Sequence, residues 1–146
     1  MKFLKYILLV VCMTVVSTAT AKSVKVPHVY MFGFSASFKD SVVYFTDVQD
    51  VEGVWLDKKT NFLLGRDNYS YQLKSHLREK AQQNDRICMV LYATSKKKAE
   101  RLYQKLRKKY LPSNKKKGQP QAAPLYDIRY ITPQDFKFEA VDMSEE

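Results

Sequence analysis

The stretch that decides the fold is VPHVYMFGFSAS, residues 26–37. It is rich in β-branched and aromatic residues, a composition typical of strands. SVVYFTDVQDV (residues 41–51) has the same character, and a turn-like Phe38-Lys39-Asp40 separates the two runs. The sequence therefore predicts an antiparallel hairpin. Aromatic residues that alternate along the first strand share one of its faces, which we expect to pack under the helices: Tyr30, Phe32 and Phe34.

Shorter elements follow the hairpin. VEGVWLDKKTNFLL (51–64) predicts a second, shorter hairpin, and YSYQLKSHLREKAQQ (69–83) predicts a helix because its apolar residues recur every four positions. RICMVLYAT (86–94) is a continuous apolar run of strand length. LYDIRYIT (125–132) predicts a last clear strand, and FKFEAV (136–141) is a candidate for one more.

The second helix is predicted from SKKKAERLYQKLRKKY, residues 95–110, in which eight of sixteen residues are Lys or Arg. Ser95 can cap it and Pro112 ends it. Its apolar positions form one amphipathic stripe: Ala99, Leu102, Tyr103, Leu106 and Tyr110. The whole order predicts an α+β fold, with a mainly antiparallel sheet of about four to six strands and two amphipathic helices packed on one face.

The first segment has the pattern of a secretory signal peptide. Lys2 and Lys5 precede an uncharged apolar run, Ile7 to Val16, and the small residues before Lys22 suit a signal peptidase. The sequence therefore predicts cleavage between Ala21 and Lys22, and a secreted or periplasmic protein. An uncleaved N-terminal anchor and lipid attachment at Cys12 are the alternatives.

Residues 22–146 are then predicted to form a single domain without a transmembrane span, with a mobile basic and Pro-containing loop at 112–124 and a frayed acidic tail. Its one cysteine, Cys88, lies in an apolar run and is interpreted as a buried free thiol.

Positive charge is concentrated in one segment. The chain carries a net charge of +10. Residues 95–117 contain eleven basic residues and one acidic residue, whereas residues 118–146 contain two basic and six acidic residues. Such asymmetry suggests an anionic partner, or a paired acidic surface within the molecule.

The candidate binding residues are the exposed cations of this segment. For a secreted protein, the candidate partners are an anionic cell-envelope polymer, lipid head groups or an acidic protein, and nucleic acid is not expected. The residues are Lys96, Lys97, Lys98, Arg101, Lys105, Lys108, Lys109, Lys115, Lys116 and Lys117.

Motifs for catalysis or metal binding are absent from the sequence. His28 and His76 are far apart, no HExxH or CxxC pair occurs, and the glycines are isolated. No catalytic residue, metal site or cofactor is therefore predicted. The acidic run TDVQDVEG (46–53) lacks the spacing of an EF-hand and is interpreted as a solvated strand end.

Three resemblances accompany these patterns. VYMFGFSASFKDSVVYFTDVQ, FLLGRDNYSYQLKSHL and the basic helix together resemble a family of small secreted bacterial proteins of uncharacterised function. VLYATSKKKAERLYQKLRKKY followed by YDIRYI resembles the second half of SPOR-type peptidoglycan-binding domains.

The third resemblance is to GIY-YIG nucleases, which begin with a tyrosine-bearing hairpin. Tyr30 and Tyr44 fall near the two motif tyrosines, and His76 lies in the first helix. The GIY and YIG triplets are absent, and Glu100 lies beside the apolar stripe rather than in it. The resemblance implies a divergent or degenerate nuclease or hydrolase, as an alternative to a non-enzymatic binding domain. A purely structural domain is the third hypothesis.

Overall fold

The computed structural model describes residues 22–112, 118 and 123–144. Within them the chain forms five strands and two helices, which confirms the predicted α+β class. The strands are β1 (Ser23–Ala36), β2 (Val42–Thr46), β3 (Gln49–Asp57), β4 (Ile87–Ala93) and β5 (Asp127–Ile131), and the helices are α1 (Arg66–Lys80) and α2 (Lys96–Lys108). The predicted signal peptide, residues 113–117 and 119–122 of the predicted loop, and the last two residues lie outside the described part.

The long strand β1 organises the sheet. It pairs antiparallel with β3 along its first part and with β4 along its last part, on opposite edges. β2 pairs antiparallel with the end of β1, on the same edge as β3, where Phe34 lies opposite Phe45. β5 lies parallel to β2 at the outer edge. The sheet is thus mostly antiparallel with one parallel pair, and the predicted first hairpin is β1–β2.

The two helices cover opposite faces of this sheet, so their predicted placement on one face is wrong. Val29 and Met31 of β1 belong to the core that contains Leu73 and Leu77 of α1. The alternate residues Phe32 and Phe34 lie under α2 instead. Because side chains alternate between the faces of a strand, buried apolar residues at both kinds of position require a cover on each face.

Gly33 allows α1 to approach the sheet closely. A Cβ atom at this position would lie 2.5 Å from Cδ2 of Leu73 and 3.3 Å from Cγ2 of Thr46. The Gly33 N–H donates to Thr46 Oγ1 at 2.8 Å, which joins β1 to β2 in the buried interior. The small residue in the middle of the strand therefore marks a contact with the helix.

Only the first strand and the turn of the predicted second hairpin form as expected. The first strand is β3, and a single bridge replaces the second strand. Asp57 Oδ1 accepts hydrogen bonds from the N–H groups of Lys59 and Thr60. An isolated bridge then joins Leu56 to Leu63. The residues that follow the turn do not continue as a strand, because α1 begins at Arg66.

The segment after β5 packs on the α1 face without joining the sheet. Phe136 and Phe138 are buried in the core, but residues 136–141 form no strand, which differs from the candidate strand in the sequence. Met143 is also buried, and its Sδ would be 3.2 Å from a Cβ atom placed on Gly65. The chain thus packs on the domain as far as Met143, which lies within the acidic tail that the sequence predicts to be frayed.

Candidate anion-binding groove

The basic helix α2 is fixed by its cap and its apolar stripe. The Ser95 hydroxyl accepts a hydrogen bond from the Lys98 N–H at 3.3 Å, as predicted for an N-cap. Ala99 is fully buried, and the Tyr103 ring meets the rings of Phe32 and Phe45 edge to face at 5.2 and 5.7 Å. This packing sets the rotation of the helix about its own axis, and so determines which side carries the exposed cations.

Four of the five residues predicted to form the apolar stripe do pack against the sheet: Ala99, Tyr103, Leu106 and Tyr110. The fifth, Leu102, lies at the border of the stripe and is 37% exposed. Burial raises the pKa values of the Tyr103 and Tyr110 hydroxyls above the ordinary value. The rings of Tyr103 and Tyr110 therefore pack on the sheet, and each keeps only part of its surface exposed.

A groove of about 820 Å³ lies along α2, between the helix and the residues that join β2 to β3. One wall is the helix, and the other includes Asp47 and Val48, which join β2 to β3. The helix wall contributes five of the predicted cations together with two acceptor-bearing side chains and a tyrosine. These residues are Lys96, Lys97, Glu100, Arg101, Tyr103, Gln104, Lys105 and Lys108.

The remaining predicted cations lie elsewhere. Lys98 and Lys109 are exposed but do not line the groove, because successive helical residues are rotated by about 100° around the axis. Lys115, Lys116 and Lys117 lie outside the described residues. The sequence did not indicate Asp47 and Val48, because they come from a distant part of the chain and no local pattern links them to α2.

None of the predicted cations on α2 forms an ion pair within the described part of the chain. The four ion pairs found there join His28 to Asp50, Lys39 to Asp85, Arg86 to Asp40 and Arg129 to Asp127. The groove thus carries a net positive charge, since five cations face only two carboxylates, Asp47 and Glu100. An acidic surface that pairs with the basic helix, one of the two possibilities raised by the charge asymmetry, is not seen among these residues.

Arg107 is a structural exception among the basic residues of α2. Its Nε donates to the Tyr130 hydroxyl at 2.7 Å, and its guanidinium lies 5.6 Å from the centre of that ring. This hydrogen bond raises the pKa of Arg107 further. Arg107 therefore ties α2 to β5, and the sequence-based list of binding residues omits it.

A second cavity, of about 430 Å³, lies on the α1 face. It brings together Tyr44, His76, Lys80 and Asp135. The His76 ring lies 5.1 Å from the Phe136 ring, and burial lowers the pKa of His76 below the ordinary value. The imidazole is therefore mostly neutral at pH 7.

The other residues named by the nuclease resemblance are not brought to this cavity. Tyr30 is on the opposite face of β1 from Val29 and Met31, whereas Tyr44 belongs to their core. Glu100 lines the groove on the α2 side of the sheet. Among the described residues, no group of three or more His, Cys, Asp and Glu side chains is placed to hold a metal ion.

Cys88 is only partly exposed. Its Sγ donates to the Ser35 hydroxyl at 3.4 Å, and burial raises the pKa of the thiol. This effect of burial outweighs the nearby positive charges of Lys74 and Arg86, which act in the opposite direction, so Cys88 is largely protonated at neutral pH.

No protein-family model matches the chain, and the searches of curated proteins and of solved structures found no match either. No helix in the described ranges is long and apolar enough to cross a membrane.

Proposed function

We propose that the protein is an exported, non-enzymatic domain that binds an anionic component of the cell envelope in the groove along α2. The observation that supports this most is the exposed series of cations on one wall of the groove, free of ion pairs within the described part of the chain. Several anionic groups of one ligand can then be contacted together, and binding should weaken steeply as salt is added.

Export is part of the proposal and rests on the N-terminal sequence pattern. Lys22, the first residue after the expected cleavage site, already belongs to the folded domain, since its carbonyl accepts a hydrogen bond from the Lys58 N–H at 2.7 Å. Cleavage after Ala21 would therefore leave β1 intact. Mass spectrometry of the protein from fractionated native cells tests this: a chain that begins at Lys22 outside the cytoplasm supports export, and a retained Met1 in the cytoplasm contradicts it.

Binding is tested with two variants that lose the same amount of charge. The groove variant combines Lys97→Gln, Arg101→Gln and Lys105→Gln, and the control combines Lys58→Gln, Lys59→Gln and Lys137→Gln at exposed positions outside the groove. The probes are a polyol phosphate polymer, an acidic polysaccharide and anionic phospholipid vesicles. We expect the groove variant to lose about tenfold or more in affinity for the bound probe at moderate salt, and the control to lose much less.

Equal losses in the two variants would contradict a groove and indicate an unspecific effect of net charge. A protein that binds no probe, and whose groove variant behaves as the wild type in cells, would favour the purely structural hypothesis.

A second candidate function is hydrolysis at the smaller cavity. The observation that favours it is that Tyr44 and His76 both line this cavity. A neutral His76 at pH 7 is in the correct form to accept a proton from a nucleophile. The test is turnover of DNA, RNA and glycans with and without divalent metal. Activity that is lost in His76→Ala and in Tyr44→Phe would support an enzyme, and no turnover on any substrate would count against it.

A further inference from the structure

The cations that line the groove form a row along the helix axis. Lys97, Arg101, Lys105 and Lys108 all line it and follow one another at intervals of four, four and three residues. With a rise of 1.5 Å per residue, their backbone positions are spaced by roughly 6, 6 and 4.5 Å along the axis. A ligand that uses the whole row must therefore be linear and carry one negative charge for about every 6 Å of its length.

The same wall also carries hydrogen-bond acceptors between the cations. Glu100 and Gln104 lie on the adjacent row of the helix, and Asp47 is on the opposite wall. A carboxylate beside an anionic group repels it, but the same carboxylate accepts a strong hydrogen bond from a hydroxyl group. The groove therefore suits a ligand in which anionic groups alternate with hydroxyl-bearing units.

We propose that the ligand of this groove is a linear polyol phosphodiester, with its phosphates on the Lys97, Arg101, Lys105 and Lys108 row and the hydroxyl groups of its polyol units on Glu100 and Asp47. This inference rests on the proposed function and names the chemical class of its ligand.

A lipid surface fits the groove less well than a chain does. The acceptors Asp47 and Glu100 line the groove together with the cations, where a layer of anionic head groups that lack free hydroxyls would meet them unfavourably. The exposed apolar residue of α2, Leu102, does not line the groove and so cannot add an apolar contact from the same side.

Nucleic acid is also disfavoured, although it is a phosphodiester. Binding of single strands depends on aromatic rings on which the bases stack. The Tyr103 ring packs edge to face on Phe32 and Phe45, and the Tyr110 ring lies 5.0 Å from Phe34. Both rings are partly buried against core aromatics, so neither stands clear of the sheet as a stacking platform. The more exposed rings of Tyr126 and Tyr130 do not line the groove.

The first experiment measures binding of glycerol phosphate oligomers of one to eight units to residues 22–146 by calorimetry, at several salt concentrations. We expect affinity to rise with length up to about four phosphates, one for each cation of the row. The slope of log affinity against log salt should be about −3, since each of four contacts with a single chain contributes about −0.7. Arg101→Gln should reduce the magnitude of the slope by about 0.7, and the control Lys58→Gln, at an exposed position in the turn after β3, should leave it unchanged.

The second experiment tests the hydroxyl contacts with an oligomer of propane-1,3-diol phosphate, which has the same phosphate spacing and no free hydroxyl. The wild type should prefer the glycerol oligomer by about three- to tenfold, the usual net effect of a hydrogen bond. Glu100→Ala should reduce this ratio, although the loss of its negative charge raises affinity for both oligomers. Glu79→Ala, an exposed change on α1, removes the same charge outside the groove and should leave the ratio unchanged.

The outcomes separate this inference from the proposed function. If single glycerol phosphate binds as tightly as the long oligomers, or if vesicles or single-stranded DNA bind more tightly through the same cations, the polyol phosphodiester is wrong while the groove remains a binding site. If none of these anions binds, the proposed function fails as well.

Discussion

The side-chain amide of Gln49 forms hydrogen bonds with the backbone of Phe138 and Phe136, in place of the bonds that a neighbouring strand would form. Its Oε1 accepts the Phe138 N–H at 2.9 Å, and its Nε2 donates to the Phe136 carbonyl at 3.0 Å. Gln72 does the same for Glu139, with two bonds of 2.9 Å. Two side-chain amides thus satisfy the backbone of a segment that belongs to no sheet, and this allows Phe136 and Phe138 to be buried.

We predict that Gln49→Ala lowers the free energy of unfolding by about 2–4 kcal/mol. Gln49 is only 8% exposed, so its removal leaves a buried N–H and a buried carbonyl without partners, and it leaves a cavity as well. Gln72→Ala makes the same deletion where water can reach the backbone, and should cost about 1 kcal/mol. Urea unfolding measures both, and equal losses would show that burial does not decide the effect.

The close approach of α1 at Gly33 gives a second prediction. Gly33→Ala places a methyl group 2.5 Å from Leu73 Cδ2, and we expect a loss of about 1–3 kcal/mol from overpacking. Leu73→Ala alone should cost about 2–5 kcal/mol through the cavity that it creates. In the double variant the new methyl group enters that cavity, so the total loss should be smaller than the sum by about 1 kcal/mol or more. Additive losses would contradict the contact.

Local pattern was sufficient to predict most of the elements. The β1–β2 hairpin, α1, β4, α2 and β5 each have a periodicity or a composition that is visible within a few residues. The relation of α2 to its cations was also predictable, because the apolar stripe that includes Ala99 and Tyr103 fixes the side of the helix that faces solvent.

Long-range contacts could not be predicted in this way. The bonds from Gln49 and Gln72 to residues 136–139 join parts of the chain that no periodicity relates. The second wall of the groove, at Asp47 and Val48, depends on how β2 passes into β3 beside α2. The sequence of β1 did indicate that both faces of the sheet are covered, because the apolar residues Val29 and Met31 alternate with Phe32 and Phe34. It did not indicate which helix covers which face.

The buried guanidinium of Arg86 gives a third prediction. Arg86 is 3% exposed, and its Nη2 donates to Asp40 Oδ1 at 3.0 Å and to the Val42 carbonyl at 2.8 Å. Asp40→Ala leaves a buried cation without its carboxylate. Because Asp40 itself is 41% exposed and water can partly replace it, we expect a loss of about 1–2 kcal/mol rather than the larger cost of a fully buried pair.

Two variants serve as controls in the same unfolding experiment. Asp40→Asn keeps an acceptor oxygen and should cost about half as much as Asp40→Ala. Asp127→Ala breaks the pair with Arg129, in which both side chains are more than half exposed, and should change stability by less than about 0.5 kcal/mol. If Asp40→Ala were as mild as Asp127→Ala, Arg86 would not depend on its carboxylate.

The two histidines should titrate in opposite directions from the ordinary pKa of 6.5. The hydrogen bond that His28 Nδ1 donates to Asp50 Oδ1 at 2.9 Å raises the pKa of His28, whereas burial lowers the pKa of His76. The stabilisation from protonated His28 is therefore complete below pH 6.5 and is lost as the pH rises through its higher folded pKa. For His76 the sign is reversed: burial penalises the protonated form, so stability falls as the pH drops from 6.5 through its lower folded pKa.

NMR titration of the imidazole protons measures both pKa values directly. Asp50→Asn should bring the His28 pKa down towards 6.5 and leave that of His76 unchanged, since the carboxylates that act on His76 are Asp135 and Glu79. Asp135→Asn should lower the pKa of His76 further, because Asp135 opposes the effect of burial there. A His76 that titrates above 6.5 in the wild type would contradict the partial burial of its ring beside Phe136. It would also contradict the neutral imidazole on which the second candidate function depends.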